Sequence, residues 1–153
     1  MERPIRQLIE GKGADVFTVG PTTTVAQAVA VMNQRNIGAV LVTDAEARLR
    51  GIFTERDVLR RVVDGKLDVD ATPVSEVMTS SVACVRPGTK VGEALVVFNS
   101  HNCRHLPVVE QDKVVGLLSI RDITAALVED REHQIEELTD YIYGSYGRHA
   151  GVR

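Results

Sequence analysis

The stretch Gly51-Ile52-Phe53-Thr54-Glu55-Arg56-Asp57 returns 65 residues later as Gly116-Leu117-Leu118-Ser119-Ile120-Arg121-Asp122. A chain that repeats itself this way is one supersecondary unit written twice, so any fold must let two copies of the unit pack on each other. Whatever chemistry the unit carries is also present twice, in a pair of hydroxyl-x-Arg-carboxylate corners.

The duplication extends upstream. Val25, Ala28, Val29 and Met32 recur at one offset as Val91, Ala94, Leu95 and Phe98; Pro21 falls on Pro87, Asn36 on Asn102 and Val42 on Val108. One residue is then lost in the turn, where Asp44 to Arg50 is answered by Glu110 to Val115. Surface turns tolerate such deletions.

Each copy reads as strand, helix, strand, strand, helix. Val16 to Val19 forms a short strand stopped by Pro21. Thr24 caps a helix to about Arg35 with apolar residues at helical spacing. Asn36 and Gly38 end that helix. Ala39 to Thr43 is apolar and β-branched without alternation, the pattern of a strand buried on both faces. Leu49 to Phe53 pairs back, and Thr54 opens a helix carrying Val58, Leu59, Val62 and Val63. The second copy gives Val82 to Val85, Lys90 to His101, Leu106 to Val109, Val114 to Leu118 and a long helix from Ser119. The expected units are therefore a lead-in helix over 1–14, a first motif over 15–64, a polar linker with one helical turn over 65–78, and a second motif over 79–130. The last helix extends over 131–144 as an apolar stripe of Ile135, Leu138 and Ile142, and residues 145–153 read as a frayed tail.

Bulk properties narrow the function classes. The 153 residues are 44% hydrophobic and 25% charged, an ordinary globular composition that can bury a sizeable core. A net charge of -3 and a pI near 5.8 disfavour a dedicated nucleic-acid binder, and Arg56, Arg60 and Arg61 read as a solvated helical face. No apolar run is long enough to span a membrane, and Met1 to Pro4 shows no signal-peptide pattern, so a cytoplasmic protein with free thiols Cys84 and Cys103 is expected. Cys84 reads as a buried small apolar side chain. His101-x-Cys103-x-His105 straddles a helix end and a strand start without a convergent fourth ligand, so no metal site is expected.

The two corners admit two readings. Thr-x-x-Asp and Ser-x-x-Asp are capping boxes, which start helices and need do nothing more. They are also a coherent nucleotide-binding set. A helix start and its hydroxyl suit phosphate, Arg56 and Arg121 can fork onto phosphate, and the carboxylates of Asp57 and Asp122 can take two adjacent ribose hydroxyls in parallel.

The order strand-Pro-helix, Ile37-Gly38-Ala39-Val40-Leu41-Val42 and Gly51 to Asp57 resembles a CBS motif, named for cystathionine β-synthase. The second copy, with Arg104-His105-Leu106-Pro107-Val108-Val109 and Gly116 to Asp122, resembles it equally. Over residues 10–130 the chain looks like a tandem CBS pair, or Bateman module. The resemblance implies an α/β (α+β) fold in which two β-α-β-β-α motifs pack as a pseudo-twofold pair, followed here by a long C-terminal helix. It implies regulatory binding of adenine nucleotides (AMP, ADP, ATP or NAD(H)) in crosswise clefts, with no catalytic cofactor. Carried over, Ser119, Arg121 and Asp122 would face Phe17, Ile37, Gly38 and Ala39. Thr54, Arg56 and Asp57 would face Ala83, Cys103, Arg104, His105 and Pro107. Lys12 either reaches a phosphate or is simply solvated.

The expected function is a non-catalytic nucleotide-sensing module that signals energy or redox state to an unidentified regulated partner, within a homodimer. Neither nucleic acid nor membrane is an expected partner. A dimerisation module with empty clefts is the alternative. An enzyme related to inosine monophosphate dehydrogenase, which carries an inserted CBS pair, fails on length, because no barrel sequence remains. The C-terminal helix is expected either to pack on a second copy or to fold back over the first repeat.

Overall fold

The structure is a computed structural model and describes residues 2–12 and 16–146, with side chains to Tyr141. Helix α1 (Ile5–Lys12) leads into strand β1 (Thr18–Val19), helix α2 (Val25–Arg35), strands β2 (Ala39–Thr43) and β3 (Leu49–Thr54) and helix α3 (Glu55–Asp57), which continues as a π-helical segment, Val58–Val63. After the linker come α4 (Val74–Val77), α5 (Val91–Ser100), β4 (His105–Glu110), β5 (Lys113–Ser119) and α6 (Ile120–Tyr146). The first sheet has the order β1-β2-β3, with β1 parallel and β3 antiparallel to β2. The second is the β4-β5 antiparallel hairpin.

The two sheets should match, and one residue explains why they do not. In the first repeat the Leu41 N–H donates to the Phe17 carbonyl at 3.3 Å. The equivalent of Leu41 is Pro107, which has no N–H to give. The expected strand Val82–Val85 therefore shrinks to a single parallel bridge, Val85 to Val108.

Strand β2 is buried throughout, and its alternation divides the core. Val40 and Val42 join Val25, Ala28, Met32 and Phe53 inside the first repeat. Ala39 and Leu41 point the other way, forming with Ile52 a seam against Val114 and Leu117 of the second repeat. The second repeat has its own core around Phe98, Leu106, Leu118 and Ile123.

The lead-in helices are exchanged between the repeats. Helix α1 precedes the first repeat but buries Ile5 and Leu8 in the core of the second. Helix α4 precedes the second repeat but buries Val74 and Val77 in the core of the first. Their anchoring is the same bond for bond. Ile5 N–H donates to the Thr89 carbonyl and Arg6 N–H to Pro87, both at 2.8 Å; Val74 N–H donates to Thr23 at 2.8 Å and Ser75 N–H to Pro21 at 3.2 Å. Pro4 bridges Lys90 as Pro73 bridges Thr24. The segment expected to be a plain linker also caps α2: Thr72 and Val69 carbonyls accept from Val25 and Ala26 at 2.9 Å, while Thr24 Oγ1 accepts from Gln27.

This exchange accounts for the glycines that begin each repeated stretch. A Cβ on Gly51 would stand 2.6 Å from Met78 Sδ and 2.7 Å from the Thr79 carbonyl, just past α4. A Cβ on Gly116 would stand 2.9 Å from Ile9 Cγ2 on α1. Each repeat lacks a side chain where the other's lead-in helix crosses it.

Other expectations need correction. Cys84 is exposed rather than buried, because the chain there is not drawn into a full strand. The Arg cluster is not simply solvated: Arg61 donates Nη1 to the Val77 and Met78 carbonyls at 3.0 and 2.6 Å, tying α4 to the first repeat. Leu59 and Val63 lie exposed while Val62 is buried, since the wider π-helical turn rotates them off the inward face. Helix α6 runs past Gly144 to Tyr146. Beyond Asp130 its side chains are exposed through Tyr141, so it does not fold back over the first repeat. Ile142 as a side chain and residues 147–153 lie outside the described residues. Among the described residues no helix is long and apolar enough to cross a membrane.

The glycine contacts give an ordering. At Gly51 the obstacle includes a backbone carbonyl, whereas at Gly116 it is a side-chain methyl that can shift. Gly51→Ala is expected to cost about 1–3 kcal/mol, the usual range for overpacking, and Gly116→Ala less. Urea denaturation midpoints should fall in the order wild type, Gly116→Ala, Gly51→Ala.

Candidate functional site

Each strand that ends a repeat runs directly into a helix, and the join is a closed capping box. Thr54 Oγ1 donates to Asp57 Oδ2 at 3.1 Å and accepts from the Asp57 N–H at 3.3 Å, while the Thr54 N–H donates to the same Oδ2 at 2.9 Å. Ser119 repeats this with Asp122 at 2.9, 3.3 and 2.6 Å. The structural reading of the corners is therefore correct. It also limits any second role. A carboxylate has no proton to give, so each hydroxyl spends its own on the carboxylate and is not free to donate to a phosphate. In each corner Oδ2 is committed to the cap, so two hydroxyls cannot be taken by both oxygens in parallel as the sequence suggested. The other oxygen, Oδ1, remains. At Asp57, 7% exposed, Oδ1 lies 3.7 Å from Arg61 Nε.

The corners differ in one cation. Lys12 Nζ donates to Asp122 Oδ2 at 2.8 Å. The cleft beside Asp57 has Ser81 in its lining and, among the described residues, no lysine. Lys12 is thus neither simply solvated nor free, and it changes its partner's acidity. Burial alone would raise the Asp122 carboxyl, but the bonds from Lys12 and Ser119 outweigh it and hold it below the ordinary carboxylate value.

Two clefts open beside these corners, each built from both repeats. The larger, about 870 Å³, is lined by Phe17, Ile37, Gly38 and Ala39 of the first repeat and by Ser119 and Arg121 of the second, with Lys12 at its edge. The smaller, about 290 Å³, sets Thr54, Arg56 and Asp57 against Ala83, Cys103, Arg104 and His105. Small-molecule sites commonly span about 300–1,000 Å³, so the second lies at the lower edge. The larger cleft brings together the residues grouped there from the sequence except Asp122, which does not line it, and the smaller brings together its group except Pro107. Pro107 is buried in β4, opposite Leu117, and lines neither cleft. Its effect is indirect, since it frees the Ala83 carbonyl from strand pairing beside the smaller cleft.

Sequence reasoning missed Glu55, which lines both clefts. As the x of Thr-x-x-Asp it carried no signal. Its equivalent, Ile120, is apolar, and that mismatch between copies was the available clue. Burial, helped by the Lys12 ammonium, holds the His105 imidazole below its ordinary value against the pull of Glu55 and Asp122, so it is neutral near pH 7. Burial pushes the Cys103 thiol up, away from the reactive thiolate. Among the described residues no cluster of His, Cys, Asp or Glu could hold a metal ion.

The Lys12–Asp122 contact predicts an acid dependence. A carboxyl lowered on folding adds stability above its unfolded value near 4, and that stability is lost as pH falls through the folded value. Asp122 is partly exposed, so screening keeps the contribution small. In an NMR titration Lys12→Met should move the Asp122 carboxyl up and flatten the acid limb of the stability curve.

The family pattern described as the CBS domain matches residues 12–64 and 74–129, the second match starting at α4. The mitochondrial CBS domain-containing protein CBSX3 of Arabidopsis thaliana is 35% identical over 143 residues, covering 90% of this chain and 69% of its own. The solved structure of a protein with CBS domains from Burkholderia ambifaria superposes with a TM-score of 0.78 at 34% identity, over 84% of this chain and 96% of that one. The CBS domain protein PAE2072 of Pyrobaculum aerophilum, solved in complex with AMP, superposes at 0.71 with 26% identity, over 78% and 89%. Two matched motifs, a shared fold and these relatives place the chain in the CBS-domain family as a tandem pair.

Proposed function

We propose that this chain is a non-catalytic regulatory module that binds adenine nucleotides (AMP, ADP, ATP or NAD(H)) in its two crosswise clefts and passes their occupancy to a partner protein. The observation that carries this reading is that each cleft sets residues of one corner, Ser119 and Arg121 or Thr54, Arg56 and Asp57, against the opposite repeat. The short side chain of Ala39 leaves a flat base room to approach the main chain, and Phe17 and Ile37 offer it apolar walls. The carboxylate Oδ1 of each corner, left over from the cap, accepts from the ribose. Arg56, Arg104, Arg121 and Lys12 neutralise phosphate. The Pyrobaculum relative solved with AMP supports the adenosine class. The rival reading, a dimerisation module with empty clefts, predicts no binding at all.

Asp→Asn is the discriminating change, because an amide oxygen still accepts the cap bonds while the charge is lost. Asp57→Asn and Asp122→Asn should each keep the wild-type melting temperature within a few degrees. Each should weaken nucleotide binding at its own cleft by roughly 10–100-fold, the worth of a charge-assisted bond. Calorimetry with AMP checks this, and 2′-deoxy-AMP should bind more weakly than AMP. A double Asn variant that binds AMP as wild type does reduces the corners to caps.

The same module is proposed to be a homodimer. Ile135 and Leu138 are 61% and 62% exposed on the far half of α6, and Leu59, Val63, Val96 and Val128 are exposed on the helices of the two repeats. Burying each such side chain is worth about 1.5–3 kcal/mol, most simply across a twofold axis. Light scattering should give a dimer for the full chain, and truncation after Val128 should weaken it at least tenfold. A monomeric full chain ends the proposal; a truncated chain that dimerises equally well assigns the interface to the repeats alone.

A further inference from the structure

Gly38, Glu55, Arg104 and His105 line both clefts and so form the wall between them. The wall is unsymmetrical because equivalent positions differ: Gly38, Ala39 and Glu55 of the first repeat answer Arg104, His105 and Ile120 of the second. Both sides are pinned through the backbone. Glu55 N–H donates to the Gly38 carbonyl and Ile120 N–H to the Arg104 carbonyl, each at 3.0 Å. A Cβ on residue 38 would stand 3.3 Å from Glu55 Oε2, so the glycine lets that carboxylate lie across the wall.

Charge is therefore partly private and partly shared. The larger cleft has Lys12 and Arg121 of its own, offset by Glu10 in its lining and, behind Lys12, by Asp122, which Lys12 bonds. The smaller has Arg56, offset by Asp57. With His105 neutral, Arg104 is the shared cation and Glu55 the shared anion. Arg104 is exposed and can serve one phosphate at a time. When it turns to a phosphate in one cleft, the other is left facing Glu55 without its counter-charge. Two phosphates on opposite sides of a thin wall also repel directly.

We infer that the two clefts are antagonistic toward phosphorylated ligands: a nucleoside phosphate in one weakens the other for a second, whereas an uncharged nucleoside does not. The inference rests on the nucleotide reading above and adds to it a rule of occupancy. The module holds one phosphorylated and one uncharged adenosine ligand in preference to two nucleotides.

Calorimetry of the full chain, Asp57→Asn and Asp122→Asn with AMP and with adenosine, at about 0.15 M salt, tests it. Each Asn variant, its own cleft weakened roughly 10–100-fold, reports the affinity of the other. The second AMP taken up by wild type should bind roughly tenfold or more weakly than AMP binds either single-cleft variant, the scale of a unit-charge repulsion across about 10 Å at an effective dielectric near 20. With adenosine the second wild-type constant should equal the weaker single-cleft constant. Arg104→Gln should lower AMP affinity in both single-cleft backgrounds. If the second wild-type AMP constant equals the weaker single-cleft constant, the clefts are independent and the inference is wrong. It is also overturned if only one variant binds AMP and wild type takes a single equivalent, because then there is one site to fill, while the nucleotide reading stands. If neither wild type nor the variants bind AMP or adenosine, the nucleotide reading itself fails.

Discussion

Everything in this molecule depends on the exchange of lead-in helices. Ile5 and Leu8 complete the core of the second repeat, and Val74 and Val77 complete that of the first. Neither repeat can bury its apolar face with the helix that directly precedes it in the chain. The crossing forces the two copies side by side, creates the seam of Ala39, Leu41 and Ile52, and places the end of one repeat's last strand beside the other's first turn. The clefts follow from that juxtaposition. The glycines at 51 and 116 are its steric condition, since a side chain at either would strike the crossing segment.

Within that frame the acidic corners serve structure first. Each carboxylate holds its helix start with one oxygen, and only the other is left for a ligand. A site of this kind is preorganised, because a carboxylate rotamer already fixed by two cap bonds loses little further freedom on binding. At Asp122 the Lys12 contact adds a third donor, and it ties the site to α1 and hence to the segment that completes the second core.

Much of this was legible in the sequence, for identifiable reasons. Features written twice could be read twice: the glycine, the hydroxyl and the carboxylate of each corner, the apolar periodicity of α2 and α5, and the doubly buried run of β2. What was missed depends on differences between the copies or on contacts far apart in sequence. Pro107 in place of Leu41 removed one N–H and with it most of a strand, leaving Cys84 outside the core. Glu55 in place of an apolar Ile120 was hidden in a variable position. The exchanged helices have a signature, Pro4-Ile5 with Leu8 against Pro73-Val74 with Val77, but its offset differs from that of the repeats, so a search at one spacing passes over it. No periodicity argument distinguishes a π-helical turn from an α-helical one over the six residues Val58–Val63.

The exchange also sets an order of events on the ribosome. The first repeat has all its core partners once Val77 has emerged, so it can consolidate while the second is still being made. Helix α1, although synthesised before it, has no surface to bury Ile5 and Leu8 against until the chain has grown to Ala126. At the usual elongation rate of roughly 5–20 residues per second, that amphipathic segment stays unpaired for several seconds at least. Helix α1 is therefore made before the first repeat yet docks after it, and it is the one that carries Lys12 to the larger cleft: that site is completed only once the second repeat has formed.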